Sequence, residues 1–349
     1  MRMNVVFMLT SLFCVLFIST HFANKYVLSE LRFTYPTIFQ GWQTLVGVIM
    51  FKALISTGHV ETLLQGKEWH DCALWLPGMM SFLISIYSGS RALASLPIPV
   101  FFVIQNLTLI FKATYDLVFH REMLSVYSYL MLMLSVCSAV AVAKTDPQYD
   151  SDGYFWMCVH VVSLGIFDIY TSLMKGRLKL KATERLFCCY FYSVLVLAPC
   201  SYFLGDALEA TNFPYLYFTK FYLGCILSGV LGMLLNICAI RVDELRSAQS
   251  LLNVNTIQSV AKILCSSASL GFYDMKMTHS FLCFIAINLV CSVGFYESAS
   301  HRRTPLLPTI YSRQSTDQSS TENSFMSGDG SLMLKRHELQ QDMIHVELI

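Results

Sequence analysis

The chain has 349 residues, of which 55% are hydrophobic and only 13% are charged. A soluble globular protein carries about 25% charged residues, so this composition cannot cover the surface of a soluble protein of this size. With a mean hydropathy of +0.53, the composition predicts a polytopic membrane protein. The net charge of +1 excludes the basic footprint of a nucleic-acid-binding protein. The twelve cysteines include no CxxC pair and do not predict a disulfide framework.

Long apolar runs predict an all-α integral membrane protein. A bilayer core about 30 Å thick needs about 20 apolar residues per helix. By that measure the sequence predicts ten transmembrane helices, at about 4–22, 34–55, 73–90, 97–118, 123–143, 153–174, 184–204, 216–240, 247–268 and 279–297. The first run lacks a signal-peptidase site and is interpreted as a retained helix. Residues 1–297 are thus a ten-helix domain, and the polar residues 298–349 a disordered cytosolic tail.

The loop charges predict the orientation of the chain. Most loop lysines and arginines fall on the side of the N-terminus, and the run 175–185 is the strongest of these signals. The opposite loops carry acids instead, such as Asp146, Asp150 and Asp206. Because positive loops stay in the cytosol, both termini are predicted to be cytosolic.

The ninth predicted span carries a polar stripe. Asn255, Gln258 and Lys262 recur at helical spacing, with Ser259 beside them, so they share one face. An intramembrane lysine is costly unless it faces protein or water. We interpret the stripe as the lining of a cavity, with hydrogen bonding between packed helices as the alternative.

The fourth predicted span repeats this pattern more weakly. Gln105 and Lys112 are nearly aligned, and Asn106 lies beside them. A shift of 150 residues superimposes Lys112 on Lys262, as a five-plus-five inverted repeat would. Two lysines at one central cavity predict an anionic ligand. The spans contain no nucleophile–base pair, nucleotide-binding loop or metal-ligand spacing, so we predict no enzyme activity and no cofactor.

Three short motifs resemble nucleotide-sugar transporters of the drug/metabolite transporter superfamily. Residues 24–28 (NKYVL) resemble the NKYV signature of that family, and residues 99–108 resemble the PIYTIFKNLT stretch of GDP-mannose transporters. Arg246-Ser247-Ala248 resembles the segment before the GALNK motif of those proteins. The resemblance covers residues 1–297.

Other positions depart from the GDP-mannose pattern. Residues 255–259 (NTIQS) replace GALNK, residues 187–190 (FCCY) replace FYNN, and Gln105 replaces a lysine. The motifs at 39–44, 89–93 and 152–156 resemble a divergent branch that is associated with UDP-N-acetylglucosamine transport into the Golgi.

The resemblance implies a Golgi antiporter that imports UDP-N-acetylglucosamine in exchange for UMP. Both ligands carry about two negative charges, so the exchange needs little ion coupling. The implied substrate-binding residues are Lys25, Tyr26, Gln43, Gln105, Asn106, Lys112, Tyr190, Asn255, Gln258, Ser259 and Lys262. The implied partners are these nucleotides and the lipid bilayer, without nucleic acid.

Four alternatives stay open. The same fold could exchange GDP-mannose for GMP, or the protein could be a non-transporting scaffold or cargo escort that works through its tail. The endoplasmic reticulum is the alternative address, and a homodimer is an alternative to the monomer.

Overall fold

The computed structural model describes residues 2–58, 69–119, 121–249, 254–273, 278–301 and 304–305. Almost all of the predicted tail lies outside these residues. The described chain is helical, except for a two-residue antiparallel pairing of β1 (Glu122–Met123) with β2 (Thr304–Pro305). The helices are α1 (Arg2–Lys25), α2 (Pro36–Ser56), α3 (Trp69–Leu74), α4 (Leu76–Ser95), α5 (Ile98–Gln105), α6 (Thr108–Phe119), α7 (Val126–Thr145), α8 (Ser151–Leu173), α9 (Ala182–Phe203), α10 (Asp206–Ala210), α11 (Thr219–Gln249), α12 (Val254–Phe272) and α13 (His279–His301).

Eight helical segments within the described residues are long and apolar enough to cross a bilayer. They confirm a multi-pass membrane protein, but not the count of ten. The predicted third and ninth spans correspond to α4 and α12, which have 20 and 19 residues. Both are about 30 Å long, and neither is among the eight apolar segments.

The predicted fourth span is a broken helix. Leu107 donates its N–H to Ile104 at 3.0 Å and Ile110 donates to Leu107 at 3.1 Å, so the chain tightens between α5 and α6. The Thr108 hydroxyl donates to the Gln105 carbonyl at 2.9 Å and stabilises the break. Because a hydroxyl can compete for backbone carbonyls, this threonine supports the local departure from regular helix.

Two other predicted boundaries were wrong. The first helix continues past residue 22 to Lys25 and into a π-helical turn, Tyr26–Glu30. The eighth continues to Gln249, so residues 246–248 end α11 instead of opening α12. Residues 240–249 contain no glycine or proline, and an i,i+3 ion pair joins Arg241 to Glu244 at 2.9 Å, so the helix has no reason to stop there.

The short helix α5 lies at the centre of the bundle. All of its residues, Ile98–Gln105, are buried. It packs against α7, α8, α12 and α13, while α1 pairs with α11, α2 with α9 and α4 with α8. The core therefore surrounds the C-terminal end of α5, where the regular helix is interrupted at Asn106.

Gly47 allows α2 and α9 to approach closely. A Cβ atom at Gly47 would overlap the ring of Tyr190, whose side chain is 2% exposed. A buried ring in a closely packed interior has little room to move aside.

We expect Gly47→Ala to lower the thermal unfolding temperature in detergent by several degrees, since overpacking costs about 1–3 kcal/mol. Gly271→Ala is the matched control, because a Cβ there meets nothing within 4 Å. Equal melting temperatures for the two variants would contradict the close approach.

Candidate functional site

The polar stripe of α12 faces the protein interior. Asn255, Gln258, Ser259 and Lys262 are 4%, 3%, 2% and 4% exposed. The opposite face carries Val260, Leu264 and Leu270, which are about half exposed. The helix is thus amphipathic: its apolar face is exposed on the outside of the bundle, and its lysine is buried in the protein interior.

Lys262 begins a chain of buried hydrogen bonds across four helical elements. Its Nζ donates to Asn106 Oδ1 at 3.3 Å, at the break between α5 and α6. Asn106 Nδ2 donates to Asn288 Oδ1 of α13 at 2.9 Å. Asn288 Nδ2 donates to the Ser135 carbonyl of α7 at 2.7 Å and to Ser138 Oγ at 3.0 Å. We call Lys262, Asn106, Asn288, Ser135 and Ser138 the amide chain.

Two glutamines add unused polar atoms to this interior. Gln105 and Gln258 are 2% and 3% exposed, on α5 and α12, which pack together. Gln105 Oε1 and Gln258 Nε2 have no hydrogen-bond partner among the described residues. An unsatisfied buried polar atom costs about 1–3 kcal/mol, so this pair provides one acceptor and one donor suited to a polar ligand.

Two buried histidines lie on either side of α5. His21 of α1 bonds the Phe17 carbonyl through Nδ1 at 2.9 Å, and its ring centre is 4.9 Å from that of Phe102. His160 of α8 bonds the Ser85 carbonyl at 2.8 Å and lies 5.4 Å from the Phe101 ring. The two imidazoles therefore flank the aromatic residues of α5.

A second polar cluster lies between α1, α2 and α11. Gln43 Nε2 donates to Asn24 Oδ1 at 2.9 Å and also to Ser228 Oγ, whose hydroxyl donates to Asn24 Oδ1 at 2.5 Å. Tyr190 lines the same small cavity, and its hydroxyl accepts from Asn236 Nδ2 at 2.7 Å. The cavity has room for about one water molecule. Gln43 and Tyr190 are therefore neighbours, in a group separate from the amide chain.

Lys25 caps the end of α4. Its ammonium is 7% exposed and donates to the carbonyls of Leu93 and Leu96 at 2.8 and 2.9 Å, with Ala94 at 3.4 Å. A cation at a helix C-terminus satisfies orphan carbonyls and the negative end of the helix dipole. Tyr26, the next residue, is half-buried beside Gly224 of α11.

The two predicted lysines have different neighbours. The ammonium of Lys112 lies 5.0 Å from the ring centre of Tyr296, near the end of α13, which is a cation–π geometry. Lys262 instead contacts Asn106. The structure thus gathers Gln105, Asn106, Gln258 and Lys262 around the packed helices α5 and α12, and places Lys112 against α13.

Sequence reasoning missed several polar residues that complete these clusters. They are Asn288, His21, Asn24 and Ser228. Asn288 is a single amide within an apolar span, and the cost of a polar group in lipid was a sufficient signal to select it. The hydrogen-bond partner of each residue depends on helix packing, which the sequence pattern does not contain.

These helices and their polar interior define a multi-pass membrane protein of the kind that moves polar solutes. The chain is 37% identical over 285 residues to the UDP-N-acetylglucosamine transporter TMEM241 homolog of Xenopus laevis, covering 81% of this chain and 94% of that protein. It is 34% identical over 274 residues to the UDP-N-acetylglucosamine transporter TMEM241 of Mus musculus, covering 78% and 90%. A GDP-mannose transporter of Chaetomium globosum is 24% identical over 320 residues, covering 85% and 80%. No family model matches the chain.

The chain therefore belongs to the nucleotide-sugar transporter family. This confirms the resemblance found in its motifs. As a member of that family it is a transporter and not an enzyme, as the sequence predicted.

We expect Lys25→Met to lower the thermal unfolding temperature clearly, because it leaves the α4 carbonyls without their charged donor, at a cost of about 1.5–3 kcal/mol. Lys52→Met is the control, since Lys52 is exposed on α2. Circular dichroism melts of the two purified variants would measure the difference. A melting temperature of Lys25→Met equal to that of the control would show that the cap contributes nothing.

Proposed function

We propose that this protein carries UDP-N-acetylglucosamine across a Golgi membrane in exchange for UMP. The observation that supports the substrate is the similarity to two transporters named for UDP-N-acetylglucosamine, at 37% and 34% identity. The GDP-mannose transporters are more distant, at 21–26%. The departures from GALNK and FYNN in residues 255–259 and 187–190 agree with a base other than guanine.

The proposed topology has ten spans, with α4 and α12 as the two less apolar ones. Each is long enough to cross the bilayer core. Their polar residues are largely buried against neighbouring helices, as Ser85, Ser88 and Lys262 illustrate. A span that hides its polar side inside the bundle can have a low mean hydropathy and still meet lipid with an apolar face. An even number of spans puts both termini on one side, and the positive loops favour the cytosolic side. The five-plus-five repeat and a homodimer stay predictions.

The proposed site lies where α12 meets the broken helix. Lys262 supplies a point charge for the phosphates, because an ammonium attracts anions without requiring a fixed geometry. Gln105 Oε1 and Gln258 Nε2 offer an acceptor and a donor, which suit the imide and carbonyl groups of uracil or the hydroxyls of the sugar. Asn255 and Ser259 extend this face of α12. The other proposed substrate-binding residues lie outside this site. Lys25 and Tyr26 are near the end of α4, and Gln43 and Tyr190 belong to the second polar cluster.

Alternating access moves the helices about this site. Discontinuous helices near the membrane midplane are a common feature of transporter binding sites, and the break at Asn106 has that form. Similar negative charge on substrate and product lets each neutralise Lys262 in turn. Because the substrate and the product carry similar charge, their exchange moves little net charge across the membrane, which favours exchange over one-way transport.

We expect Lys262→Ala to reduce exchange of UDP-N-acetylglucosamine in proteoliposomes by about 10- to 100-fold, since a hydrogen bond to a charged group contributes about 1.5–3 kcal/mol. Lys52→Ala is the control, because Lys52 is exposed on α2 and belongs to neither polar cluster. Full activity of Lys262→Ala, at equal protein per vesicle, would reject the proposed site.

We expect UMP loaded inside the vesicles to accelerate uptake of UDP-N-acetylglucosamine, with little effect of GMP, since the exchanged nucleotide must fit the same base site. Uptake of GDP-mannose with acceleration by GMP would favour the alternative substrate. If no nucleotide sugar enters, and deletion of residues 298–349 abolishes the cellular function, the scaffold hypothesis replaces transport.

A further inference from the structure

Asn288 is the most enclosed member of the amide chain. Its side chain is 0% exposed in the middle of α13. It contacts α7 through Ser135 and Ser138 and contacts the α5–α6 break through Asn106. The helices α7 and α13 and the α5–α6 break therefore meet at a single carboxamide.

The backbone carbonyl of Ser135 fixes which way this carboxamide faces. A carbonyl oxygen can only accept, so it must face Asn288 Nδ2, at 2.7 Å. Asn288 Oδ1 then faces the other way, where it can only accept from Asn106 Nδ2. Each carboxamide has one donating and one accepting end. The orientation of the Asn288 amide therefore determines the orientation of the Asn106 amide.

The last hydrogen bond of the amide chain is the one from Lys262. Because Asn106 Nδ2 is engaged by Asn288, Asn106 Oδ1 faces α12 and accepts from Lys262 Nζ at 3.3 Å. The reversed amide would present an N–H donor to an ammonium that can only donate. The orientation of Asn288 thus decides whether the α5–α6 break attracts or repels the lysine.

We infer that Asn288 is a positioning residue for transport: through Asn106 it holds the Lys262 ammonium at the helix break, where the substrate anion binds. The inference rests on the proposed function of Lys262. Asn288 itself does not contact the substrate, since both ends of its amide are occupied by protein groups. The closely packed helices α7 and α13 hold the Asn288 amide in place, and this amide orients Asn106 toward Lys262.

The test is a double-mutant cycle on exchange kinetics in proteoliposomes, with UDP-N-acetylglucosamine outside and UMP inside. Asn288→Leu keeps the approximate volume and removes both polar ends. We expect it to raise KM about 3- to 10-fold with a smaller change in maximal rate, the size typical of coupled neighbours. In an Asn106→Leu background the same substitution should raise KM less than about 1.5-fold, because the hydrogen bonds that connect Asn288 to Lys262 are already lost.

Ser292→Ala is the matched control. Ser292 is equally buried, lies one turn further along α13, and donates only to the Leu289 carbonyl of its own helix. We expect its KM to equal that of the wild type. If Asn288→Leu does not yield folded protein, Asn288→Ser enters the same cycle.

The outcomes separate the two proposals. Wild-type protein that exchanges no nucleotide overturns the proposed function and this inference together. Exchange that depends on Lys262 but not on Asn288 overturns only the positioning role. The positioning role is also overturned if the fold-change in KM of the double variant equals the product of the two single fold-changes. An asparagine with a purely structural role would give that result.

Discussion

Burial of a lysine among membrane helices is the interaction on which this structure depends. The bilayer core offers no water, so each polar group must find its partner inside the protein. Lys262 meets this requirement through Asn106, and Lys25 meets it through the carbonyls at the end of α4. The two solutions differ in kind. The cap on α4 completes a helix end, whereas the contact of Lys262 joins α12 to the α5–α6 break.

The broken helix is the structural complement of that charge. α5 is buried along its whole length and ends next to Asn106, whose amide accepts a hydrogen bond from Lys262. The aromatic and histidine side chains around α5 exclude lipid from this region, and a low local dielectric strengthens each electrostatic contact within it. The same environment makes the burial of a lysine costly, and the hydrogen bond from Lys262 to Asn106 offsets part of that cost.

The sequence predicted the parts of this arrangement that depend on local pattern. Apolar length located the helices, and the i, i+3, i+7 spacing of Asn255, Gln258 and Lys262 predicted a common polar face, which the structure buries. The break at Asn106 was missed because the run 97–118 has the length of one span and contains no glycine, and no proline after Pro99. The hydrogen bond between Lys262 and Asn106 was also missed, since the two residues are 156 positions apart in the sequence and meet only through packing. Lys112 lies against Tyr296 of α13, a neighbour that its spacing from Lys262 did not predict, and the sharing of one cavity by the two lysines stays a prediction.

Nucleotide binding by the purified protein tests the central claim most directly. A ligand that binds the folded state raises its melting temperature in proportion to the free energy of binding. With wild-type protein in detergent, the account predicts that UMP and UDP-N-acetylglucosamine each raise the melting temperature by several degrees, and that GMP does not. In Lys262→Ala the shift that each nucleotide produces should disappear, whatever the melting temperature of the variant without ligand. An undiminished shift in Lys262→Ala would contradict the assignment of this lysine to the substrate phosphates.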